Sequence, residues 1–411
     1  MSEHPRIRPT LLVLASTYPR WANDHEPSFV HELCRRLVTE FEVVVVCPHA
    51  EGAKSREVLD GVEVRRYRYA PARWERMVNG GGIVSNLKRH PWMLALVPGF
   101  VILQAWAAWR VVQRRTVEVV HAHWLIPQGL IAMGLRWARK GRLPYIVTSH
   151  GADLYALRGA AFTRIKRAVL RRSSGASVVS TAMLKEIEAT GADPSRVRVL
   201  PMGVDTTERF TPDPATVRHP DELLFVGRLV EKKGLRHLLS AMPEVLRQRP
   251  AAMLTVVGFG PEAEPLAAQA SELKISHAVR FLGAVKQADL PTLYRRATLF
   301  VAPFVRAESG DQEGLPVALM EAAACGCPLL VGNVAGLEDI LGADTQGLTL
   351  DPRATNELAT RIVETLVDPA PAHAAAERVM LRAIDRLDWH RVACRYADLL
   401  KSACASAEAV R

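Results

Sequence analysis

Short runs of apolar, mostly β-branched residues recur along the first half of the chain and predict buried strands. They read TLLVLAST, FEVVVVCP, VEVRRYRY, VEVVHAHW, PYIVTSHG and ASVVSTA. Several are separated by segments with helical spacing of apolar positions, such as PSFVHELCRRLVTE, in which Phe29, Leu33 and Leu37 would share one face. Strands that alternate with helices predict a parallel sheet covered on both faces.

A second set of strand-like runs follows in the second half. They read ELLFVGRL, AMLTVVGFG, VRFLGAV, TLFVAPF and CPLLVGN. The segment between the two sets, RVRVLPMGVDTTERFTPDPATVRHPDE, is rich in Pro, Thr and Asp and predicts a linker, with the boundary near Asp205–Asp221. We therefore expect an α/β protein with two Rossmann-like, doubly wound domains, 1–205 and 206–385, that face each other across a cleft. A C-terminal helix, 386–411, should pack back across the domain junction.

The composition fits two globular domains. The chain has 411 residues, of which 49% are hydrophobic and 23% charged, so it is too long for one ordinary core. The apolar run Leu11–Ala15 is too short for a signal peptide and is followed by a turn. Six scattered cysteines, with only Cys325 and Cys327 closely spaced, indicate reduced thiols in a cytosolic protein rather than a zinc site.

Positive charge is concentrated in the first half of a chain whose net charge is +10. No acidic residue occurs from Arg76 to Val117, and within this stretch Pro91–Trp109 carries no charge at all. Three interpretations are open: a transmembrane helix, a buried helix of the first domain, or a helix lying on an anionic membrane. Pro98 and Gly99 interrupt the run and argue against a spanning helix.

The basic composition also raises the alternative of a nucleic-acid-binding protein. Such a protein needs basic residues interleaved with aromatic residues that stack on bases. Aromatic residues make up only 6% of this chain, and the tryptophans cluster in the apolar run. We therefore expect no nucleic acid partner.

The segment DQEGLPVALMEAAACGCP carries the clearest candidate chemistry. Pro316 suits the first turn of a helix that ends near Gly326. Glu313 would lie in the loop before that helix, where Gly314 lets the backbone approach a ligand and free N–H groups favour phosphate. Glu313 could instead simply complement the helix dipole. Glu321 lies inside an apolar helix, where a charged side chain needs a partner or a ligand. Beside a phosphate site, the carboxylates of Glu313 and Glu321 would accept hydrogen bonds from sugar hydroxyls.

Two further motifs follow predicted strands. In FVGRLVEKKGL, Arg228 and Lys233 at the end of a strand fit a diphosphate, although exposed surface cations are the alternative. In VVGFGPE, Gly258 and Gly260 form a tight turn or contact a nucleotide. The full dinucleotide pattern G-x-G-x-x-G is absent, because position 263 is Ala263.

Histidines stand at the ends of two predicted strands in the first half. The motifs are HAHW, with His121, His123 and Trp124, and SHGADLY, with His150 and Asp153. We expect these side chains to face the cleft, although a structural role is an equal alternative for each histidine. A metal site is not favoured, because H-x-H alone lacks a third ligand.

In combination, these motifs resemble the retaining glycosyltransferases of GT-B family 4. The resemblance covers nearly the whole chain through HGAD, LPMGVD, GRLVEKKG, VGFGPE and the E-x7-E pair Glu313 and Glu321, in this order and spacing. It implies transfer of a hexose from a UDP- or GDP-linked donor to a glycan or lipid-linked acceptor in cell-surface polysaccharide or glycolipid biosynthesis. It also implies retention of anomeric configuration by front-face attack, with Glu313 as a covalent nucleophile as the less favoured alternative. No metal ion and no cofactor besides the donor are implied.

The resemblance assigns roles on the donor side. Arg228 and Lys233 would hold the diphosphate and stabilise the leaving nucleotide. Glu321 would bind the ribose, and Glu313 would contact hydroxyls of the transferred sugar. By the same resemblance, Gly314 and Leu315 would offer backbone N–H groups to the donor.

Other roles are implied around the sugar and the base. His150 would lie beside the sugar near the reacting centre, and Asp153 would support that loop or face the acceptor. Gly258 would contact the nucleotide, and the base would lie near Val285. The two domains should close over the donor about a hinge near Asp205.

The loop after the first strand departs from the family pattern. Many members have a Gly-Gly pair there, but this chain has no glycine between Ser16 and Leu33. The acceptor-side candidates are therefore only Trp21, Asp24, His25, His123 and Asp153. The TYPR and DHEPSFV sequences resemble members that build bacterial surface polysaccharides on lipid carriers.

A lipid-linked acceptor fits the basic, tryptophan-bearing segment 76–115, which we expect to contact an anionic membrane. The enzyme would then be cytoplasmic and peripheral on the inner face of the cell membrane. The rival interpretations are a sugar phosphorylase, a nucleotide-sugar epimerase or a catalytically silent scaffold. The E-x7-E pair with GRLVEKKG argues against the first two, and the presence of every expected donor residue argues against the third.

Overall fold

The chain forms two compact α/β units in the computed structural model, which describes residues 8–22, 24, 28–79 and 82–408. The first unit comprises Met1–Pro201 and His390–Arg411, and the second comprises Met202–Trp389. The division thus falls between Pro201 and Met202, slightly before the predicted boundary. The C-terminal residues belong to the first unit.

The first unit is built on an eight-stranded sheet with the strand order β3-β4-β2-β1-β5-β6-β7-β8. All neighbouring strands are parallel except β3, which runs antiparallel to β4 at the edge. The strands are β1 (Thr10–Leu14), β2 (Glu42–Pro48), β3 (Arg56–Leu59), β4 (Val62–Tyr67), β5 (Val119–His123), β6 (Tyr145–Ser149), β7 (Gly175–Val178) and β8 (Val197–Val199).

Helices cover this sheet. They are α1 (Phe29–Leu37), α2 (Ile83–Arg89), α3 (Val97–Arg114), α4 (Leu130–Ala138), α5 (Ala152–Tyr155), α6 (Ala160–Arg172) and α7 (Met183–Ala189). Helix α16 (Trp389–Glu408), at the end of the chain, packs onto the same unit through Leu399 and Tyr396. Every residue of β1, β5 and β6 is buried, as expected for a parallel sheet with helices on both faces.

The second unit has a six-stranded, wholly parallel sheet with the order β11-β10-β9-β12-β13-β14. Its strands are β9 (Glu222–Val226), β10 (Met253–Val257), β11 (Val279–Gly283), β12 (Leu299–Ala302), β13 (Leu329–Gly332) and β14 (Thr349–Leu350). Its helices are α8 (Leu235–Gln248), α9 (Ala263–Glu272), α10 (Leu290–Arg296), α11 (Val317–Ala324), α12 (Glu338–Leu341), α13 (Thr345–Leu348), α14 (Thr355–Val367) and α15 (Ala370–Leu387).

The predicted strands are confirmed in both units, and so are the helix in PSFVHELCRRLVTE and the helix after Pro316. Three strands were missed, namely β3, β8 and β14. Each is short and lies at or next to a sheet edge, so it lacks the continuous apolar run of a central strand. The prediction of a linker was wrong for RVRV, because Val197–Val199 is β8.

Candidate functional site

Lys233 is placed at the carboxyl end of β9 by a short 3-10 turn, Glu231–Lys233. The side chain is buried, with Nζ 3.2 Å from Glu313 Oε2 and 4.8 Å from the centre of the Phe304 ring. Arg228 lies half-buried two residues beyond the strand, and among the described residues it has no acidic hydrogen-bond partner. The cationic groups predicted from GRLVEKKG therefore stand together beside a buried carboxylate.

Two glycines allow the backbone to make these turns. Gly234 follows Lys233 with a φ of +68°, and a Cβ there would lie 1.8 Å from the Pro303 carbonyl oxygen. Gly258 follows β10 with a φ of +141°, and a Cβ there would lie 1.8 Å from the Gly227 carbonyl oxygen. Both positions combine an unfavourable φ with a close backbone approach, so only glycine fits them.

Glu313 is held ionised by two lysines. Lys232 Nζ lies 3.4 Å from Glu313 Oε1 and 3.3 Å from Asp311 Oδ2. Burial would raise the pKa of Glu313, but the positive charges of Lys232 and Lys233, with a contribution from Arg228, hold this pKa at about 2. Glu313 is therefore an anion throughout the physiological pH range and accepts hydrogen bonds.

The backbone after Glu313 leads into α11. Gly314 and Leu315 are buried, and in the part of the chain that the structure describes their N–H groups have no acceptor. Pro316 occupies the N-cap position, one residue before the helix begins at Val317. Unpaired N–H groups just before a helix start can bind an anion, and Glu313, the residue before Gly314, contacts the Lys233 ammonium group.

Glu321 points into the protein from the middle of α11. It is buried and accepts hydrogen bonds from Tyr294 Oη at 2.9 Å and Gln287 Nε2 at 2.5 Å. Burial raises its pKa to about 7, although both hydrogen bonds oppose this shift. The inference that this charge needs a partner is confirmed, and Tyr294 and Gln287 are the partners.

The Glu321→Gln variant should lose part of the pH dependence of stability. The folded wild-type protein retains a proton on Glu321 between about pH 4.5, the ordinary pKa, and about pH 7. The unfolded chain has released that proton, so wild-type stability falls, relative to the variant, as the pH rises through this interval. Urea unfolding of both proteins at about pH 5 and pH 8 measures the difference. The same wild-type-to-variant difference at both pH values would contradict the raised pKa.

The structure thus groups Arg228, Lys233, Glu313, Gly314 and Leu315 at the carboxyl ends of the second sheet. Val285 lies half-buried in the loop after β11, two residues before the Glu321 partner Gln287. Sequence reasoning missed Lys232, Phe304, Tyr294 and Gln287. Only Lys232 had a sequence signal, its place beside Lys233, because the others reach the site from separate segments.

In the first unit, three histidines form a row, of which His121 and His123 are buried and His150 is half-buried. His123 Nδ1 lies 2.9 Å from His150 Nε2, and the His121 and His123 rings are 4.1 Å apart between centroids. Burial lowers the pKa of His121 and His150 to about 3, and that of His123 well below its ordinary value. All three imidazoles are therefore neutral. His121 and His123 are fully buried, which favours the structural alternative for these two side chains, whereas His150 is half-buried.

The other acceptor-side candidates have different environments. Asp153 is buried, and its carboxylate accepts hydrogen bonds from the Ser149 hydroxyl at 2.7 Å and the Leu125 amide at 2.6 Å. This geometry favours its loop-supporting role. Asp24 is also buried and pairs with Arg20 at 2.6 Å. His25 lies outside the described residues.

Trp21 is 41% exposed, and Arg20 stacks on its ring at 4.4 Å. Of the acceptor-side candidates whose structure is described, Trp21 therefore offers the largest accessible ring. Fully buried His123 cannot touch an acceptor directly, which corrects that prediction.

The apolar run Pro91–Trp109 lies in a 3-10 segment, Pro91–Leu96, and in α3. By length and composition alone, Pro91–Arg114 is long and apolar enough to cross a membrane. However, α3 packs one side on the sheet, where the buried Gln104 donates to the Ala15 and Val46 carbonyl oxygens at 3.0 and 3.2 Å. These contacts fit a helix attached to the first unit better than a spanning helix.

The opposite side of this segment is exposed and apolar. We name the exposed residues Trp92, Leu94, Ile102 and Trp106, together with Trp74 from the preceding turn Ala72–Trp74, the tryptophan face; Arg73 and Arg110 stack on Trp74 and Trp106 at 5.0 and 4.6 Å. Trp74 and Trp92 also touch edge to face, with ring centroids 6.1 Å apart. A segment with one packed side and one exposed aromatic side corresponds to neither a fully buried nor a spanning helix.

Family comparisons agree with the motifs. The Glycosyltransferase Family 4 model matches residues 28–208, and the Glycosyl transferases group 1 model matches residues 208–380. A GDP-mannose-dependent alpha-(1-6)-phosphatidylinositol monomannoside mannosyltransferase of Mycobacterium tuberculosis is 30% identical over 308 residues, covering 71% of this chain and 78% of that protein. The Mycolicibacterium smegmatis protein of the same name is 29% identical over 387 residues, covering 91% and 94%.

Solved structures with low sequence identity share the fold. The sucrose-phosphate synthase of Thermosynechococcus elongatus has a TM-score of 0.77 at 18% identity and covers 97% of this chain and 100% of its own. HepE of Anabaena, solved with UDP and glucose, has a TM-score of 0.72 at 17% identity and covers 96% and 100%. With two parallel-sheet units and these family matches, the chain belongs to glycosyltransferase family 4, has the GT-B fold and is a glycosyltransferase.

Proposed function

We propose that the protein transfers a hexose from a nucleoside diphosphate sugar to a lipid-linked glycan or glycolipid acceptor. The observation that carries this proposal is the buried Lys233–Glu313 pair beside the unpaired Gly314 and Leu315 N–H groups. Glu313 neutralises only part of the positive charge of Lys233 and Arg228. A diphosphate would neutralise the remainder. The sugar hydroxyls supply the donors that an ionised Glu313 requires.

The donor-side chemistry follows from these charges. Arg228, Lys233 and the two N–H groups would stabilise the developing negative charge on the leaving diphosphate, without a metal ion. Glu321 would accept hydrogen bonds from the ribose, replacing the one from Gln287. The base would lie near Val285, and the backbone at Gly258 would contact the nucleotide.

The identity of the donor is best tested among guanosine and uridine diphosphate sugars. The mycobacterial relatives are named as GDP-mannose-dependent, and HepE was solved with UDP and glucose. GDP-mannose is therefore the first donor to test, and UDP-glucose the second. The monomannoside acceptor in the relatives' name supports a glycolipid or lipid-linked acceptor for this chain.

The direct experiment is calorimetric binding of GDP, UDP, ADP, CMP and NAD, followed by transfer of labelled sugar from the matching donor to membrane lipid extracts. We expect one nucleoside diphosphate to bind and its sugar donor to label lipid. The Arg228→Ala/Lys233→Ala double variant should not bind it. Failure of every nucleotide to bind, with or without vesicles, would overturn the proposal.

We propose that the configuration at the anomeric carbon is retained by front-face attack. The leaving phosphate would then take the acceptor proton, because Lys232 and Lys233 hold the pKa of Glu313 at about 2 and so make this carboxylate a weak base. Turnover by Glu313→Gln should fall but remain measurable. Mass spectrometry of quenched reactions should find no glycosyl group on Glu313, and a trapped glycosyl-enzyme would favour the covalent route instead.

We also propose that the enzyme is a cytoplasmic protein that binds the inner face of the cell membrane through the tryptophan face. Exposed tryptophans suit the interface of a bilayer, and arginines beside them attract anionic lipid. The absence of acidic residues from Arg76 to Val117 removes repulsion from that lipid. A lipid-linked acceptor would then meet the enzyme at the surface where it resides.

The Trp92→Ser/Trp106→Ser variant should bind vesicles containing phosphatidylglycerol about tenfold more weakly than wild type, because two interfacial rings are lost. Co-sedimentation at low and high salt measures this change. Trp137→Ser is the matched control, since Trp137 is 84% exposed on α4 and is not part of the tryptophan face. An equal loss in the control, or no loss in the double variant, would refute this surface.

A further inference from the structure

The His150 imidazole is joined to His123 by an in-plane hydrogen bond. The two nitrogen atoms are 2.9 Å apart, the ring planes differ by only 14°, and the centroids are 5.2 Å apart. Nearly coplanar rings with this nitrogen contact lie edge to edge rather than face to face. The other nitrogen of His150, Nδ1, has no partner among the described residues, and its half-buried ring lies 4.9 Å from both Phe29 and Trp124.

The direction of this hydrogen bond follows from the burial of His123. Its Nε2 is fully buried and has no hydrogen-bond partner in the described part of the chain. A buried N–H group without an acceptor is rarer than an under-used acceptor lone pair. His123 therefore carries its proton on Nδ1 and donates to His150 Nε2. His150 Nε2 accepts this hydrogen bond and therefore carries no proton, which leaves the proton of the His150 ring on Nδ1.

His123 is held in place by its neighbours across the sheet. His121, two residues earlier on β5, lies on the same face, and its ring contacts that of His123 at a tilt of 35°. His121 Nε2 is 2.8 Å from Thr148 Oγ1, which is 2.8 Å from Ser177 Oγ. This polar row crosses β5, β6 and β7, and the Tyr396 ring of α16 lies against its His121 end, with centroids 5.7 Å apart and a tilt of 31°. The row restricts rotation of the His123 ring.

We propose that His123 is a positioning residue that locks His150 in the Nδ1–H tautomer, so that His150 acts as a hydrogen-bond donor and not as a base. An Nδ1 that carries a proton has no lone pair with which to accept another. His150 would donate to an oxygen of the transferred hexose. The identity of that ligand rests on the proposed function, whereas the tautomer itself does not.

The first test measures the tautomer without any substrate. Protein labelled with ¹⁵N-histidine gives long-range ¹H–¹⁵N spectra in which the two neutral tautomers have distinct patterns, and His150→Asn identifies the His150 signals among the 13 histidines. We expect the Nδ1–H pattern for His150 near pH 7.5. An Nε2–H pattern in the wild-type protein would overturn the proposal, whatever the enzyme transfers.

The second test uses two buried amides as matched variants. In His123→Asn, the side-chain amide nitrogen can take the position of Nδ1 and still donate to His150. In His123→Gln, the amide nitrogen lies near the position of Nε2 and the hydrogen bond to His150 is lost. We expect kcat within about threefold of wild type for His123→Asn, and a fall of about tenfold or more for His123→Gln with little change in the donor KM, the effect of one lost hydrogen bond. Similar kcat values for the two variants, at similar thermal stability, would show that His123 only fills space and would overturn the positioning role.

The two tests separate this proposal from the proposed function. If wild-type protein transfers no sugar but shows the Nδ1–H pattern, the glycosyl-transfer assignment to these donors fails and the tautomer lock stands. If transfer is observed and His150 shows the Nε2–H pattern, the lock fails and the transferase function stands.

Discussion

Replacing Lys233 by methionine is expected to lower kcat/KM for the nucleotide-sugar donor by about 10² to 10³-fold, the usual effect of removing one preorganised stabilising group. Methionine keeps most of the side-chain volume, so the contact with the Phe304 ring is retained while the ammonium group is lost. The group removed is the buried cation that pairs with Glu313, the residue before the Gly314 and Leu315 N–H groups. Initial rates over a range of donor concentrations measure the change.

Lys232→Met is the matched control for this prediction. Lys232 also lies beside Glu313, at 3.4 Å, and has Asp311 as a second partner. Either substitution removes one positive charge from beside the Glu313 carboxylate. If that were the whole cause of the loss in Lys233→Met, both variants would lose activity equally. We expect Lys232→Met to lose no more than about tenfold, because its ammonium group is shared between two carboxylates. Equal losses would contradict a direct role of Lys233 on the diphosphate.

Replacing Gly258 by alanine is expected to lower the free energy of unfolding by about 3 kcal/mol or more and to abolish nucleotide binding. A Cβ at this position would lie 1.8 Å from the Gly227 carbonyl oxygen, so the loop after β9 must shift. Overpacking of this kind costs about 1–3 kcal/mol, and the left-handed φ of +141° adds about 1–2 kcal/mol. The shifted loop is the one that carries Arg228.

Gly283 provides the control within the same turn region. It accepts a hydrogen bond from the Gly258 N–H at 2.8 Å and also has a positive φ, +68°. A Cβ at Gly283 would meet no described atom within 4 Å, so Gly283→Ala introduces backbone strain alone. We expect it to cost about 1–2 kcal/mol and to leave nucleotide affinity nearly unchanged. Urea unfolding and calorimetry on both variants test the difference, and equal effects would show that the close approach to Gly227 is unimportant.

The fold was largely predictable because its main signals are local. Central strands such as β1, β2 and β10 are continuous apolar runs, and a parallel sheet buried on both faces requires such runs. Edge strands such as β3 show alternating exposure and short length, so their sequence resembles that of a loop. The strand β8 was hidden in the predicted linker for the same reason.

The donor-side grouping was predictable from motif order, but its electrostatics were not. Sequence spacing places Arg228, Lys233 and Glu313 at the ends of strands and at a helix start. It does not show that Lys232 shares Glu313 with Lys233, or that Tyr294 and Gln287 satisfy Glu321. These contacts decide that one glutamate has a pKa of about 2 and the other of about 7.

By itself, the sequence determined the alternation of strands and helices, the repetition of that pattern in two domains and the residue types available for binding a diphosphate. These are properties of apolar periodicity and of glycine and proline placement, which act over a few residues. Tertiary structure alone decided that His123 is buried behind His150, that Asp153 is turned inward, and that α3 exposes one aromatic side. The physical reason is that burial and hydrogen-bond partners depend on chain segments distant in sequence, brought together only when the sheets and helices pack.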